Sequence, residues 1–96
     1  MYALVGCVEI KPGHEEETAT MAREHGPTLV GGMAGSGSAY WARALGGGPL
    51  RQHSFWLFET EEDARAAEHV FSSLRESPQA PAVFVGADVC EVIARV

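Results

Sequence analysis

The stretch Ser54–Leu74, SFWLFETEEDARAAEHVFSSL, contains a strand that leads directly into a helix. Residues 54–59 are mainly aromatic and aliphatic, with no glycine or proline, a composition typical of a strand buried on both faces. Thr60 is placed to cap a helix, and Asp63, three residues later, gives a capping-box spacing. The helix then carries one apolar stripe: Ala67, Val70, Phe71 and Leu74. This combination predicts a helix that folds back onto a buried strand.

Apolar alternation and clusters of glycine and proline place the other elements along the chain. A helix over His14–His25 is expected to end at Gly26 and Pro27, because glycine and then proline commonly follow a helix C-terminus. The remaining segments are a strand at Tyr2–Ile10, a glycine-rich connection at Thr28–Ser38, a strand at Ala39–Leu45, its hairpin partner at His53–Glu59, a stiff link at Ser77–Pro81, a brief extended piece at Ala82–Val85 and a last strand at Asp88–Val96.

The element order is β-α-β-β-α-β, the split βαβ pattern of ferredoxin-like folds. Right-handed crossovers place both helices of this α+β fold on one face of a four-stranded antiparallel sheet. The other face carries Ala3, Val5 and Cys7 with further apolar residues from the other strands. Such a face exceeds the ~400 Å² apolar patch that soluble monomers tolerate. We therefore predict a homodimer that forms through the helix-free sheet face.

Length and charge restrict the classes of function. Ninety-six residues predict a single domain over 1–96. Seven basic and thirteen acidic residues give a net charge of −6, with no basic cluster, which disfavours nucleic acid and anionic membranes as partners. No apolar run approaches the ~18 residues of a membrane span. The N-terminal residues lack the pattern of a secretory signal, so we expect a cytoplasmic protein.

The cysteines, the metal-ligand spacings and the glycine-rich segment give weak signals. Cys7 and Cys90 are expected on neighbouring strands, where either reduced thiols or a redox pair is compatible with the sequence. No His-x-x-x-His or Cys-x-x-Cys spacing occurs, so no metal site is predicted. The segment GGMAGSG at 31–37 lacks the phosphate-loop pattern and is more typical of a mobile lid or pocket mouth.

Three stretches carry a resemblance to a known family: VEIKPGHEEE at 8–17, FWLFETEEDARAAE at 55–68 and VCEVIARV at 89–96. In them the chain resembles the antibiotic biosynthesis monooxygenase (ABM) domains of the dimeric α+β barrel superfamily. The resemblance covers nearly the whole chain and implies a dimeric α+β barrel. Similar domains include cofactor-free oxygenases of aromatic, polyketide-like or quinol substrates, haem-degrading enzymes, and proteins with no known reaction.

The haem-degrading branch of that family has three characteristic residues. They are an asparagine in the first strand, a tryptophan on the second helix and a histidine about ten residues later. The corresponding positions here are Gly6, Ala67 and Ser77. Without an imidazole ligand little would hold the iron. We therefore expect neither haem degradation nor another cofactor.

The oxygenase branch implies a pocket between sheet and helices, in which a phenolic substrate loses a proton and its carbanion reacts with oxygen. The resemblance makes Trp56 the candidate aromatic wall, with Tyr40 or His53 as the proton acceptor. The candidate ligand contacts are Trp41, Phe58, Phe71 and His25. The chain has no asparagine that could orient an oxyanion. The alternative is a ligand-binding or structural dimer without turnover, in which these side chains fill the core or interface.

Overall fold

The structure, a computed structural model, describes residues 1–33, 35–73 and 80–95. Its elements are β1 (Tyr2–Ile10), α1 (Glu15–Gly31), β2 (Ser36–Arg43), β3 (Arg51–Phe58), α2 (Glu61–Ser73) and β4 (Ala82–Glu91). The strands form one antiparallel sheet in the order β2-β3-β1-β4. The βαββαβ order and the ferredoxin-like α+β class are therefore confirmed.

The pairing register decides which side chains share a face of the sheet. Leu4 lies opposite both Trp56 and Val89, and Trp56 also lies opposite Ala39. Directly opposed side chains project to the same side of a sheet, and their neighbours along each strand project to the other side. Positions in register with Leu4 and Trp56 therefore form the helix-covered face.

The hydrophobic core lies between this face and the two helices. Its buried members come from β1, β3 and α2: Leu4, Trp56, Phe58, Ala64 and Ala67. Leu29 of α1 packs against the same cluster, so both helices cover one face, as predicted. On the other face of β3, Phe55 and Leu57 are only half-buried. The prediction of a strand buried on both faces thus holds for one face, because both helices of the described residues cover the same side of the sheet.

The helix α2 begins at the predicted cap. Asp63 donates its backbone N–H to Thr60 Oγ1 at 3.1 Å, and Ala64 donates its N–H to the Thr60 carbonyl at 3.2 Å. Thr60→Ala removes the first of these bonds and is expected to lower the free energy of unfolding by about 1 kcal/mol, measured by urea denaturation. Thr60→Asp keeps an acceptor and should stay close to wild type. An equal loss in both variants would contradict the capping role.

The apolar stripe of α2 differs in part from the predicted one. Ala64 and Ala67 are buried and Phe71 is half-buried, whereas Val70 is 42% exposed. The buried stripe of α2 therefore lies about one turn closer to the N-terminus of the helix than the predicted stripe. Leu74 and positions 77–79 of the predicted link lie outside the described residues.

The helix α1 is longer than predicted, since it continues through Gly26 and Pro27 to Gly31. Proline removes one hydrogen bond of a helix interior and usually ends the helix. Here Leu29 packs on the core beyond the proline, and this burial favours the extra helical turn. Since α1 ends at Gly31 and β2 begins at Ser36, the predicted connection Thr28–Ser38 is wrong at both ends. The role of residues 31–37 as a lid or pocket mouth stays a prediction, and Ala34 lies outside the described residues.

The strand β4 is continuous from Ala82 to Glu91, where two separate segments, Ala82–Val85 and Asp88–Val96, were predicted. Gly86 pairs with Cys7 and Phe84 pairs with Val8, so Val85 is an extra residue in the ladder. A β-bulge of this kind absorbs one residue while the strand continues. The bulge places the Phe84 side chain on the helix-covered face, where sequence alternation alone does not put it.

The bounds of three strands also differ from the sequence prediction. The last strand ends at Glu91, so the prediction of Asp88–Val96 is wrong at both ends. The first hairpin strand, β2, begins three residues before the predicted Ala39 and ends two residues before the predicted Leu45. The second, β3, begins two residues before the predicted His53. The hairpin is extended by a bond from the Ala44 N–H to the carbonyl of Arg51, at 2.9 Å. This ladder, rather than the local composition, sets the ends of the strands.

The opposite surface, called here the helix-free face, includes these residues: Ala3, Val5, Cys7, Tyr40, His53, Phe55, Leu57 and Val83. Tyr40 stacks on Phe55 with ring centroids 5.0 Å apart. Tyr40 and Val83 are 59% and 54% exposed.

No helix within the described residues is long and apolar enough to cross a membrane.

Candidate functional site

An apolar pocket lies on the helix-covered side of the sheet, between β3 and the helices. Its volume is about 240 Å³. We call it the aromatic pocket, and its main lining residues are Trp41, Trp56, Phe71, Phe84, Leu29 and His25. Concave, largely apolar surfaces with a few polar groups are typical of small-molecule sites. The aromatic pocket is therefore the candidate functional site.

Four aromatic rings form a continuous wall of the pocket. The rings of Trp41 and Trp56 meet edge to face, with centroids 6.1 Å apart, and the rings of Trp56 and Phe71 lie 5.1 Å apart at a 60° tilt. The Phe71 ring in turn meets the Phe84 ring at 6.3 Å. Tilted and edge-to-face contacts at these distances are favourable for aromatic pairs. The wall therefore combines side chains of β2, β3, α2 and β4.

Trp41 reaches the pocket because α1 has a glycine where it crosses β2. A Cβ atom at Gly26 would lie 2.5 Å from Cη2 of the Trp41 indole, closer than atoms can approach. Gly26 is buried, so the indole lies directly on the helix backbone. The glycine predicted to end the helix instead makes room for a wall of the pocket.

Gly26→Ala is expected to displace the Trp41 ring and to lower the free energy of unfolding by about 1–3 kcal/mol, the usual cost of overpacking. Urea denaturation measures the stability, and a change in tryptophan fluorescence reports the displaced ring. Gly31→Ala is the matched control, because a Cβ there meets nothing within 4 Å. It is expected to be neutral or mildly stabilising. Equal effects in both variants would contradict the close packing of Trp41 on α1.

The residues predicted from the sequence separate into three groups. Trp41, Trp56, Phe71 and His25 line the aromatic pocket. Phe58 is buried in the adjoining core and does not line it. Tyr40 and His53 belong to the helix-free face, since Tyr40 pairs with Phe55 and His53 with Cys7. Within one chain, neither can therefore reach a ligand held beside Trp56.

Some pocket residues were not among the site residues predicted from the sequence. Gly26, Gln52 and Phe84 line the pocket but were assigned to a helix end, a loop and a short extended piece. The placement of Gln52 depends on the true start of β3, and that of Phe84 depends on the bulge at Val85. Gln52 and Phe84 both lie opposite Val8 of β1, and this pairing would have shown which face they occupy if the register had been known.

The polar lining of the pocket is sparse. Thr18 is buried, and its hydroxyl donates to the His14 carbonyl at 2.8 Å. The His25 side chain is exposed at the rim, and Gln52 is half-buried. Trp56 Nε1 is buried and has no hydrogen-bond partner in the described part of the chain. The lining is therefore mainly apolar, and the Trp56 indole N–H buried beside it is unpaired within the described residues.

A second, larger groove adjoins the aromatic pocket at Trp41 and has a volume of about 570 Å³. It lies between α1 and the edge strand β2, and it contains Arg23 and Arg43. Arg43 Nη2 donates to the backbone carbonyl of Glu15 at 2.8 Å. The pKa of the Glu15 carboxyl is lowered by its own backbone N–H, by that of Gly13 and, more weakly, by the charge of Arg43. Arg43 is thus tied to the start of α1.

The two cysteines are not close enough to form a pair. Both are free thiols. Cys7 pairs with Gly86 whereas Cys90 pairs with Ala3, so they lie four ladder positions apart, or roughly 13 Å at about 3.3 Å per residue. This separation removes the redox-pair interpretation. Within residues 1–33, 35–73 and 80–95, no three His, Cys, Asp or Glu side chains are grouped as a metal site.

Comparison with known proteins places the fold but not the family. No protein-family model matches the sequence, and no curated protein matches it. MhuD from Mycobacterium tuberculosis, a haem degrader solved with two haems in its active site, is similar in structure: the TM-score is 0.71 at 19% identity, over 100% of this chain and 99% of that chain. A variant of MhuD with two manganese protoporphyrin IX groups per active site gives 0.71 at 18% identity, over 100% and 98%.

An ethyl tert-butyl ether degradation (EthD) family protein from Bacillus halodurans is also similar, with a TM-score of 0.55 at 8% identity, over 97% of this chain and 100% of that chain. At these identities the likeness concerns the fold alone. The chain therefore has the ABM-like fold that the sequence resemblance predicted, and the likeness assigns it no reaction.

The residues around the aromatic pocket do not fit a haem. The pocket is smaller than the roughly 300–1,000 Å³ of sites for drug-sized molecules, and a haem is larger than most of these. A Cβ at Gly6 would lie 2.7 Å from the Phe71 ring, so that ring fills the space next to the strand where the haem-degrading pattern has asparagine. Ala67 is buried in the core, and Ser77 lies outside the described residues.

Proposed function

We propose that this chain binds a small, flat and largely apolar aromatic molecule in the aromatic pocket. The observation that carries the proposal is the wall of aromatic rings around a concave apolar space, with Trp41 and Trp56 meeting at 6.1 Å. Indole and phenyl faces bind flat rings through large contact areas and favourable edge-to-face geometry. The few polar groups of the lining would fix the orientation of such a ligand.

The enzymatic form of the proposal is a cofactor-independent monooxygenase acting on a polyketide-like aromatic or a quinol. A base removes a proton from the substrate, and the resulting carbanion reacts with O₂. For an anthrone, the ring methylene loses two hydrogens and gains one oxygen atom as a carbonyl, while the second oxygen atom leaves as water. His25 is the imidazole on the pocket lining and takes the role of the base.

A binding protein without turnover is the second candidate. It is favoured by the sparse polar lining, since the Thr18 hydroxyl is already bonded to a backbone carbonyl and His25 lies at the exposed rim. A base that works inside the pocket would have to be held within hydrogen-bond reach of the substrate. The two candidates share the same ligand class and differ only in chemistry.

One titration separates the two candidates. Purified protein is titrated with anthrone and with 1,4-naphthoquinol, and tryptophan fluorescence follows binding because both tryptophans line the pocket. An oxygen electrode follows uptake in air without added metal or flavin. Uptake that falls roughly 100-fold or more in His25→Gln, with binding retained, supports the oxygenase. Binding without uptake supports the binding protein, and the absence of both contradicts the proposal.

The proposal includes a second copy of the chain on the helix-free face. Tyr40 and Val83 are 59% and 54% exposed, and Phe55 and Leu57 are half-buried on the same face. The face also carries Asp88 and His53, but its apolar residues extend over all four strands, and a soluble monomer is expected to expose no more than ~400 Å² of contiguous apolar surface. The same face of a second copy is self-complementary in a two-fold dimer. The aromatic pocket lies on the opposite side of the sheet, so each copy would keep its own pocket open.

A further inference from the structure

The indole N–H of Trp56 is a buried donor without an acceptor. Trp56 is 1% exposed, and its Nε1 atom is the buried side-chain nitrogen or oxygen for which the described residues supply no partner. Buried polar groups are nearly always hydrogen-bonded, because an unpaired group loses its bond to water and gains nothing in return. A buried unpaired donor therefore requires an explanation.

The neighbours of Trp56 in the sheet and in the aromatic wall are apolar. Leu4 and Ala39 flank it in the sheet, and the rings of Trp41 and Phe71 cover it. A core residue under no other demand could be phenylalanine, which would fill similar space without a polar atom. An indole at this position has a use if something that enters the pocket accepts its hydrogen bond.

We infer that the indole N–H of Trp56 donates a hydrogen bond to an oxygen atom of the bound ligand. This inference rests on the proposed function and narrows its ligand class to ring compounds that carry an oxygen acceptor, a carbonyl or a deprotonated hydroxyl, on the ring system. Trp41 and Phe71 contact the rings of any flat ligand, whereas Trp56 distinguishes ligands by this oxygen. Trp56 is thus a specificity-determining residue as well as a wall.

The test compares two ligands that differ only in the acceptor. 1-Indanone and indane have the same fused rings, but indane has a methylene in place of the ketone carbonyl. One net hydrogen bond corresponds to roughly tenfold in affinity. The ratio of the indane dissociation constant to the indanone dissociation constant should therefore be about tenfold higher for the wild-type protein than for a purely apolar pocket. Trp56→Phe keeps a ring and removes the donor, so it should abolish this preference. Trp41→Phe, the matched control, should weaken both ligands by the same factor.

A second measurement does not depend on the stability of the Trp56 variant. The ¹H–¹⁵N spectrum of the wild-type protein contains two indole N–H signals, which Trp41→Phe assigns. Indanone should move the Trp56 signal downfield, as a new hydrogen bond does, and indane should not. This result would support the inference even if Trp56→Phe failed to fold.

The outcomes distinguish this inference from the proposed function. If both ligands bind the wild-type protein and neither the affinity ratio nor the indole signal depends on the carbonyl, the N–H is satisfied by water or remains unpaired. The inference would then be wrong while the proposed function stands. Retention of the preference in Trp56→Phe would also overturn it. If neither ligand binds at any soluble concentration, the inference and the binding proposal fail together.

Discussion

Trp56→Ala is expected to lower the free energy of unfolding by about 3–5 kcal/mol, because it removes the largest fully buried side chain of the core. The indole contacts α2 through Phe71 and β2 through Trp41, so its loss would leave a cavity that several elements adjoin. Domains of this size have a total stability of roughly 5–15 kcal/mol, of which this loss is a large part. Urea denaturation followed by circular dichroism measures the effect.

Leu45→Ala is the control for this prediction, since Leu45 is also a large apolar residue but is 95% exposed. Its effect should be within about 0.5 kcal/mol. A Trp56→Ala variant as stable as Leu45→Ala would contradict the position of Trp56 in the core. The predicted loss also means that alanine at this position is unsuitable for testing ligand binding, and phenylalanine is the better substitution.

Phe55→Glu is expected to convert the proposed dimer into monomers. Phe55 lies near the middle of the helix-free face, paired with Val5 and stacked on Tyr40. In the dimer the new carboxylate would be buried without a partner, which costs about 3–5 kcal/mol and raises the dissociation constant at least ~100-fold. Sedimentation velocity over a range of protein concentrations measures the change.

Val70→Glu provides the matched control for the dimer prediction. Val70 is 42% exposed on α2, on the opposite side of the sheet from Phe55. The same charge introduced there should leave the dissociation constant unchanged. A wild-type protein that sediments as a monomer at high micromolar concentration would contradict the dimer, and so would equal dissociation by both substitutions.

The order of the elements was predictable because the relevant signals are local. Thr60 and Asp63 mark the start of α2 through a cap that the structure contains, and the apolar alternation of Tyr2–Ile10 gives β1 with its observed bounds. Such patterns depend on the chain within a few residues. The ABM-like fold followed from this order and from the family resemblance.

The errors all concern features decided by distant contacts. Pro27 suggested a helix end. However, Leu29 of α1 packs against the core and Trp41 packs against α1, and these contacts extend the helix beyond the proline. The bulge at Val85 joins two segments that the local sequence separates. Tertiary burial outweighs local propensities of about 1 kcal/mol or less, and no single-sequence pattern reports it.

The candidate site was predictable only as a set of residue types. Adjacent residues of a strand lie on opposite faces, as Tyr40 and Trp41 do, but this alternation does not say which of them faces the helices. The register with β3 decides this, and it separates Trp56 from His53 as well. The unpaired N–H of Trp56 could not be foreseen, because it depends on every atom that surrounds the indole.

The most direct test of the account is to locate a bound aromatic molecule on the protein. Isotope-filtered nuclear Overhauser spectra of the ¹³C,¹⁵N-labelled protein with unlabelled 1-naphthol report which protons lie within about 5 Å of the ligand. The account predicts contacts from the naphthol ring to Trp41, Trp56 and Phe71 in the aromatic pocket. Contacts confined to Tyr40 and Phe55 on the helix-free face, or none at saturating naphthol, would contradict it.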